Sequence, residues 1–74
     1  MRKDQERLET LARYCLSRRR ALGLSSEAFA AKAGVNRSVI NRIECAHGTP
    51  HFWNLISICD ALGASIDDAL GRRP

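Results

Sequence analysis

The sequence has few of the features that mark secreted or membrane proteins. Its three cysteines, Cys15, Cys45 and Cys59, are odd in number and widely spaced, which is not the pattern of a disulfide framework. No apolar run is long enough to span a bilayer, and no signal-peptide pattern opens the chain. We therefore expect a cytoplasmic protein that makes no contact with a membrane.

Aromatic residues and prolines are also scarce. Aromatics make up 5% of the chain and prolines number two, while Leu, Ile and Ala supply most of the apolar side chains. This composition favours helices over strands. With 74 residues the chain forms one small domain and leaves no room for a separate sensor, so we expect no small-molecule ligand.

Motifs of common catalytic and metal sites are missing as well. There is no nucleophile elbow, no phosphate-binding loop and no pair of inward carboxylates, so we expect neither enzyme activity nor a cofactor. Cys45, His47 and His51 are potential zinc ligands close in sequence. However, they would need a fourth ligand from elsewhere, and their spacing matches no standard zinc module. We predict no metal site.

Charge is unevenly distributed along the chain, whose formal net charge is +4. Residues 1–24 hold seven Lys/Arg and three Asp/Glu, residues 25–49 hold three and two, and residues 50–74 hold two and three. The basic end, with three arginines at positions 18–20, suits a polyanionic partner, although solvated basic helix ends are also common.

Apolar residues recur at helical spacing in five segments, and no segment is predicted to form a strand. Residues that commonly cap helices stand at the segment ends. The first predicted helix covers about Asp4–Leu22, the second begins after N-cap Ser25 and ends at Gly34, and the third runs from N-cap Asn36 to about Glu44. The fourth covers about Pro50–Leu62 after N-cap Thr49. A last helical turn begins with a capping box at Ser65 and reaches about Leu70.

The third helix presents two different sides. At about 100° per residue, four polar side chains fall within an arc of roughly 140°, which we call the outer face of this helix: Arg37, Ser38, Asn41 and Arg42. Such an exposed helix side suits the major groove of DNA, where both arginines have the geometry for bidentate contacts to guanine. Ser38 and Asn41 either contact bases or are simply solvated.

Two charges in this helix oppose its dipole. Arg37 lies in the first turn and Glu44 in the last turn, and each is unfavourable by about 0.3–1 kcal/mol. Violations of local rules tend to fall at functional or specially paired positions. For Arg37 we predict a DNA contact, and for Glu44 a structural ion pair with Arg19 near the end of the first helix.

From about Leu11 to Leu70 the sequence resembles the helix-turn-helix family of the lambda repressor and Cro, also called Xre-type. The resemblance lies in the order and spacing of Arg19, Gly23-Leu24-Ser25, Ala30, Gly34-Val35, Arg37-Ser38, Ile40, Ile43-Glu44, Pro50, Leu55, Ala61-Leu62-Gly63 and Ser65-Ile66. It implies an all-α, compact five-helix domain over residues 11–70. Residues 1–10 would extend the first helix, and residues 71–74 would form a loose tail.

The resemblance also implies roles for individual residues. The third helix would be the recognition helix, and Arg19 and Glu44 would tie the first helix to its end. Base contacts would come from Arg37, Ser38 and Arg42, with Asn41 beside them; backbone phosphate contacts would come from Ser25, Ser26, Asn36 and His47. Arg18 and Arg20 either add phosphate contacts or belong to a solvated helix end. Family members usually bind two DNA half-sites as homodimers.

The sequence departs from the family pattern in four places. Ser26 stands where glutamine is common, which removes a long amide arm. Arg18 stands where an aliphatic residue is usual, so that either the first helix is rotated or Arg18 snorkels. Cys45-Ala46 replaces a frequent basic-Gly pair, which opens another path for the loop. His51-Phe52-Trp53 replaces a polar helix start and leaves Trp53 partly exposed.

These observations predict a sequence-specific regulator of double-stranded DNA, in the simplest case a repressor, that acts as a homodimer. A second interpretation is an antitoxin-type regulator that binds a partner protein through Phe52, Trp53 and residues 1–10. A third is a degenerate helix-turn-helix used only as a scaffold, which would show no salt-dependent DNA binding.

Overall fold

The computed structural model describes residues 2–72, and this part of the chain folds into five α-helices. They are α1 (Arg2–Ala21), α2 (Ser26–Ala33), α3 (Arg37–Glu44), α4 (Phe52–Leu62) and α5 (Ile66–Ala69). The described residues include no strand, which confirms the predicted all-α class. None of these helices combines the length and the hydropathy that a membrane crossing requires.

The helices share one hydrophobic core. Its largest fully buried side chains come from α1 to α4 and are Cys15, Phe29, Ile40, Ile58 and Leu62. Burying an aliphatic or aromatic side chain of this size stabilises the fold by about 1.5–3 kcal/mol. Because α3 packs against both α1 and α2, one side of α3 is buried and the opposite side faces solvent.

The connection from α2 to α3 follows the sequence prediction. Ser25 caps α2, because its Oγ accepts the backbone N–H of Ala28 at 3.0 Å. Gly34 ends α2 in the left-handed conformation at φ 71°, which costs a glycine little. Asn36 then caps α3, because its Oδ1 accepts the N–H of Ser38 at 2.9 Å. These caps satisfy backbone groups at the ends of α2 and α3 and define the short turn between the two helices.

The predicted start of α4 is wrong. Thr49 and Pro50 remain in the loop, and the helix begins at Phe52 with His51 as its N-cap. The Nδ1 atom of His51 accepts the backbone N–H of Trp53 at 3.3 Å, so an imidazole takes the place of the usual hydroxyl or carboxylate. Phe52 is 58% exposed. It lies in the first turn of α4 and makes an edge-to-face contact with Trp53 at 5.0 Å.

The loop after α3 contains an unusual backbone conformation. Ala46 has φ 57°, the only positive φ of a non-glycine residue in the described part of the chain. A residue with a Cβ pays about 1–2 kcal/mol in this region. The loop therefore passes through a conformation suited to glycine although the sequence supplies alanine there.

The C-terminal end folds back on α5. Ser65 and Asp68 form the predicted capping box, with bonds of 3.0 Å and 3.2 Å. Beyond α5, the backbone N–H groups of Gly71 and Arg72 donate to the carbonyl oxygens of Asp68 and Asp67. The predicted tail also includes positions 73–74, which lie outside the described residues.

Candidate nucleic-acid interface

The outer face of α3 is exposed along its length. Arg37, Ser38, Asn41 and Arg42 all lie in solvent, whereas Ile40 and Ile43 on the opposite side are 1% and 4% exposed. The packing of α3 on α1 and α2 therefore fixes the helix in the domain and leaves its polar side chains projecting from it. This arrangement gives one rigid row of donors and acceptors that a base edge can meet.

Arg37 at the start of this row has a partner from α2. Its Nη1 lies 3.7 Å from Oε2 of Glu27, and the two side chains are 60% and 83% exposed. The carboxylate compensates a cation that the N-terminal end of the α3 dipole disfavours. Sequence reasoning did not find this pair, although opposite charges in the first turns of two helices joined by a tight turn were visible in the sequence.

Arg42 near the other end of the row lies against the loop that follows α3. A Cβ built on Gly48 would meet the Arg42 Nη2 atom at 3.2 Å, so the guanidinium passes close to the loop backbone. A surface groove of about 320 Å³ lies between α3, this loop and the first turn of α4, and its polar lining includes Arg42, His47, His51 and Asn54. Arg42 therefore joins the outer face of α3 to a second polar surface.

Arg19 and Glu44 form an ion pair at the C-terminal end of α3. The Nε and Nη2 atoms of Arg19 donate to Glu44 Oε2 and Oε1 at 2.8 Å and 3.2 Å, and Nη1 donates to the Leu24 carbonyl oxygen at 2.8 Å. The two charged side chains are only 13% and 11% exposed. The hydrogen bond that Arg19 donates to Glu44 raises the pKa of Arg19 above its ordinary value. The pair links α1, the turn before α2 and the end of α3.

The residues for which phosphate contacts are predicted differ in exposure and in the roles of their side chains. Ser25 and Asn36 use a side-chain oxygen to cap α2 and α3, while Arg20 and His47 are exposed. Ser26 is half-buried in the first turn of α2.

Arg18 faces another part of the molecule. It is half-buried, and its Nη2 donates to the carbonyl oxygen of Leu62 at 3.3 Å. The guanidinium thereby satisfies an otherwise free acceptor at the C-terminal end of α4. Because this contact gives the Arg18 guanidinium a partner within the domain, we do not include Arg18 among the proposed phosphate contacts.

The cysteine side chains divide into buried and exposed. Burial raises the pKa of Cys15 to about 12, and it also raises the pKa of Cys59, while Cys45 is exposed at the end of α3. A second groove, of about 200 Å³, lies beside Cys45, Arg42 and His47. Within residues 2–72 no three His, Cys, Asp or Glu side chains lie close enough together to hold a metal ion.

Comparison with known protein families agrees with this geometry. A family model described as helix-turn-helix matches residues 16–68, which is most of the chain. The chain therefore belongs to this family of DNA-binding regulators, in its Xre or lambda repressor-like form, and the resemblance found in the sequence is confirmed. Domains of this family are not typically enzymes. Searches among curated proteins and among solved structures gave no match.

Proposed function

We propose that the protein is a sequence-specific repressor that places α3 in the major groove of double-stranded DNA. The main observation in support is that the outer face of α3 is exposed, whereas Ile40 and Ile43 on its opposite side are buried. A helix held in this way can meet a groove about 12 Å wide without rearranging the domain. Blocking a promoter is the simplest way in which such a domain regulates transcription.

In this mechanism some side chains contact bases and others contact phosphates. Arg37 and Arg42 donate bidentate hydrogen bonds to guanine, and each such contact is worth about 1–3 kcal/mol of discrimination. Ser38 and Asn41, which lie between the two arginines in the sequence, contact base edges with their shorter side chains. Positioning on the duplex comes from phosphate contacts, which carry no sequence information directly. The proposed phosphate contacts are those of Ser25, Ser26, Asn36, His47 and Arg20.

The proposed assembly on DNA is a homodimer. A two-fold symmetric dimer places two copies of α3 about one helical turn, or 34–36 Å, apart in successive major grooves. The operator is then a pair of inverted half-sites. This symmetry also doubles the number of base contacts, which a domain with a single short recognition helix requires for useful specificity.

Selection of bound sites from random DNA at defined salt tests the proposal. We expect a two-fold symmetric motif with half-site centres about one turn apart. The Arg42→Ala variant removes one contact from each half-site of the dimer, so it should lose about 30-fold or more in affinity for the selected site and much less for random DNA. The control Arg20→Ala should lower both affinities alike. Equal losses with Arg42→Ala would contradict base reading by Arg42, and absence of any selected motif would contradict the function.

A second candidate is an antitoxin-type regulator that also binds a partner protein. One observation favours it: Phe52 and Trp53 are 58% and 67% exposed at the start of α4, outside the core. Exposed aromatic side chains of this kind are enriched at protein interfaces. Co-expression with the neighbouring gene's product tests this candidate, which requires a tight complex that Trp53→Ala weakens.

A further inference from the structure

Glu27 is the exposed negative charge of the helix-turn-helix. The sequences of α2 and α3 contain two acidic residues, Glu27 and Glu44. Glu44 is neutralised by Arg19 and largely buried, whereas the side chain of Glu27 is 83% exposed. An exposed carboxylate beside a surface that meets DNA repels the phosphate backbone. Its presence there lowers affinity for any duplex, irrespective of sequence.

The position of Glu27 relative to Arg37 gives this charge a second effect. Among the ion pairs of the described residues, Arg37–Glu27 alone includes a side chain of the outer face of α3. A guanidinium has five N–H donors, and a bidentate contact with guanine uses two of them. Arg37 can therefore keep its carboxylate partner while it binds a base, and the carboxylate restricts the directions in which Arg37 points.

We propose that Glu27 is a positioning residue for DNA recognition, which orients Arg37 toward base edges and disfavours its use as a general phosphate contact. This inference rests on the proposed function. It makes Glu27 a determinant of specificity, because the orientation of Arg37 favours the selected site, whereas the repulsion lowers the affinity for all DNA alike. Affinity for DNA is reduced in exchange for discrimination.

Another role of Glu27 must be separated from this one. Glu27 lies in the first turn of α2, where a carboxylate interacts favourably with the helix dipole. That role alone changes thermal stability and leaves the preferred base unchanged. The informative readouts are therefore the base preference at the Arg37 position, the ratio of affinities for selected and random DNA, and the salt dependence of binding.

The experiment compares Glu27→Gln and Glu27→Asp with the wild type in site selection and in binding titrations. Glu27→Gln should bind random DNA about two- to fivefold more tightly near 0.1 M salt. Its ratio of selected-site to random-DNA affinity should fall by about threefold or more, with a relaxed base preference at one position per half-site. Glu27→Asp retains the charge but shortens the arm, so it should keep the wild-type affinity for random DNA and lose part of the base preference.

Two controls separate positioning from net charge. Glu6→Gln makes the same charge change on an exposed part of α1, about 20 Å along the helix from the proposed phosphate contact Arg20 and beyond the Debye length of about 10 Å at 0.1 M salt. It should leave the affinity ratio unchanged. In an Arg37→Ala background, Glu27→Gln should no longer alter the base preference, since the side chain that it positions is gone.

The possible results are distinguishable. If both Glu27 variants fold, as judged by circular dichroism, and keep the wild-type motif and affinity ratio, the positioning role is overturned while the proposed function stands. A change in base preference that Glu27→Gln still causes in the Arg37→Ala background would equally overturn it. If the wild type selects no motif and shows no salt-dependent binding, the proposed function fails and the role of Glu27 fails with it.

Discussion

Two arginine–glutamate pairs stand at opposite ends of α3, and they show how differently the same two side chains act in different surroundings. At the C-terminal end, Arg19 and Glu44 are buried and joined by two hydrogen bonds, of which the shorter measures 2.8 Å. At the N-terminal end, Arg37 and Glu27 are mostly exposed and lie 3.7 Å apart. The buried pair links α1, the turn before α2 and the end of α3, whereas the exposed pair joins two neighbouring first turns.

The difference lies in solvation. Removing one partner of a buried pair leaves an uncompensated charge inside the fold, whereas an exposed pair in high dielectric contributes about 0–1 kcal/mol. An exposed guanidinium can therefore exchange water and part of its carboxylate contact for a base edge at small cost. We infer that one end of α3 holds the helix in place and the other is available for recognition. Three substitutions test this difference.

The largest effect is expected from Arg19→Ala. The variant leaves Glu44 buried without its cation, which should lower the free energy of unfolding by about 3–5 kcal/mol. In a chain of this size such a loss lowers Tm by more than about 12 °C. Thermal or urea unfolding followed by circular dichroism measures the change.

Arg37→Ala is the matched control for this prediction. It removes an arginine from the other pair of α3, and we expect a stability change below about 0.5 kcal/mol. A similar loss of stability in both variants would contradict the division of α3 into a structural end and a recognition end. Unchanged unfolding of Arg19→Ala would show that the buried pair does not stabilise the fold.

The sequence predicts features with local causes better than features that depend on the packing of separate helices. The caps at Ser25, Gly34 and Asn36 were predicted because they depend on backbone groups within four residues. The start of α4 was not, since a Thr-Pro pair is a common helix start and nothing local shows that the His51 imidazole takes the capping role. The Arg37–Glu27 contact was missed because it depends on the angle between two helices.

A second, smaller effect concerns a thiol next to the buried pair. The pKa of Cys15 is raised from 9.0 to about 12, first by burial and then by the charges of Cys59 and Glu44. Above pH 9 the unfolded chain releases this proton while the folded chain retains it, so stability falls as pH rises toward the folded pKa. We expect Cys15 to account for a loss of about 1–2 kcal/mol between pH 9 and pH 11, measured by urea unfolding.

The Cys15→Ala variant isolates this contribution. Its stability should decline less steeply over the same pH range, whatever constant offset the smaller side chain causes. Cys45→Ala, which removes an exposed thiol at the end of α3, is the matched control. If the stability of both variants falls with pH as steeply as that of the wild type, the Cys15 thiol does not limit stability between pH 9 and pH 11. The core around Cys15 would then be more hydrated than the structure indicates.

The smallest effect is expected just beyond Glu44, where Ala46 occupies the left-handed region at φ 57°. Ala46→Gly removes the clash of Cβ with the backbone, so it should stabilise the fold by about 0.5–1 kcal/mol. Ala31→Gly, on an exposed position of α2, should instead destabilise it by about the same amount, because a glycine within a helix loses more entropy on folding. Paired urea titrations distinguish the two signs. If Ala46→Gly destabilises the protein as Ala31→Gly does, the loop is not strained, and the structural end of α3 depends on the Arg19–Glu44 pair without any opposing strain beside it.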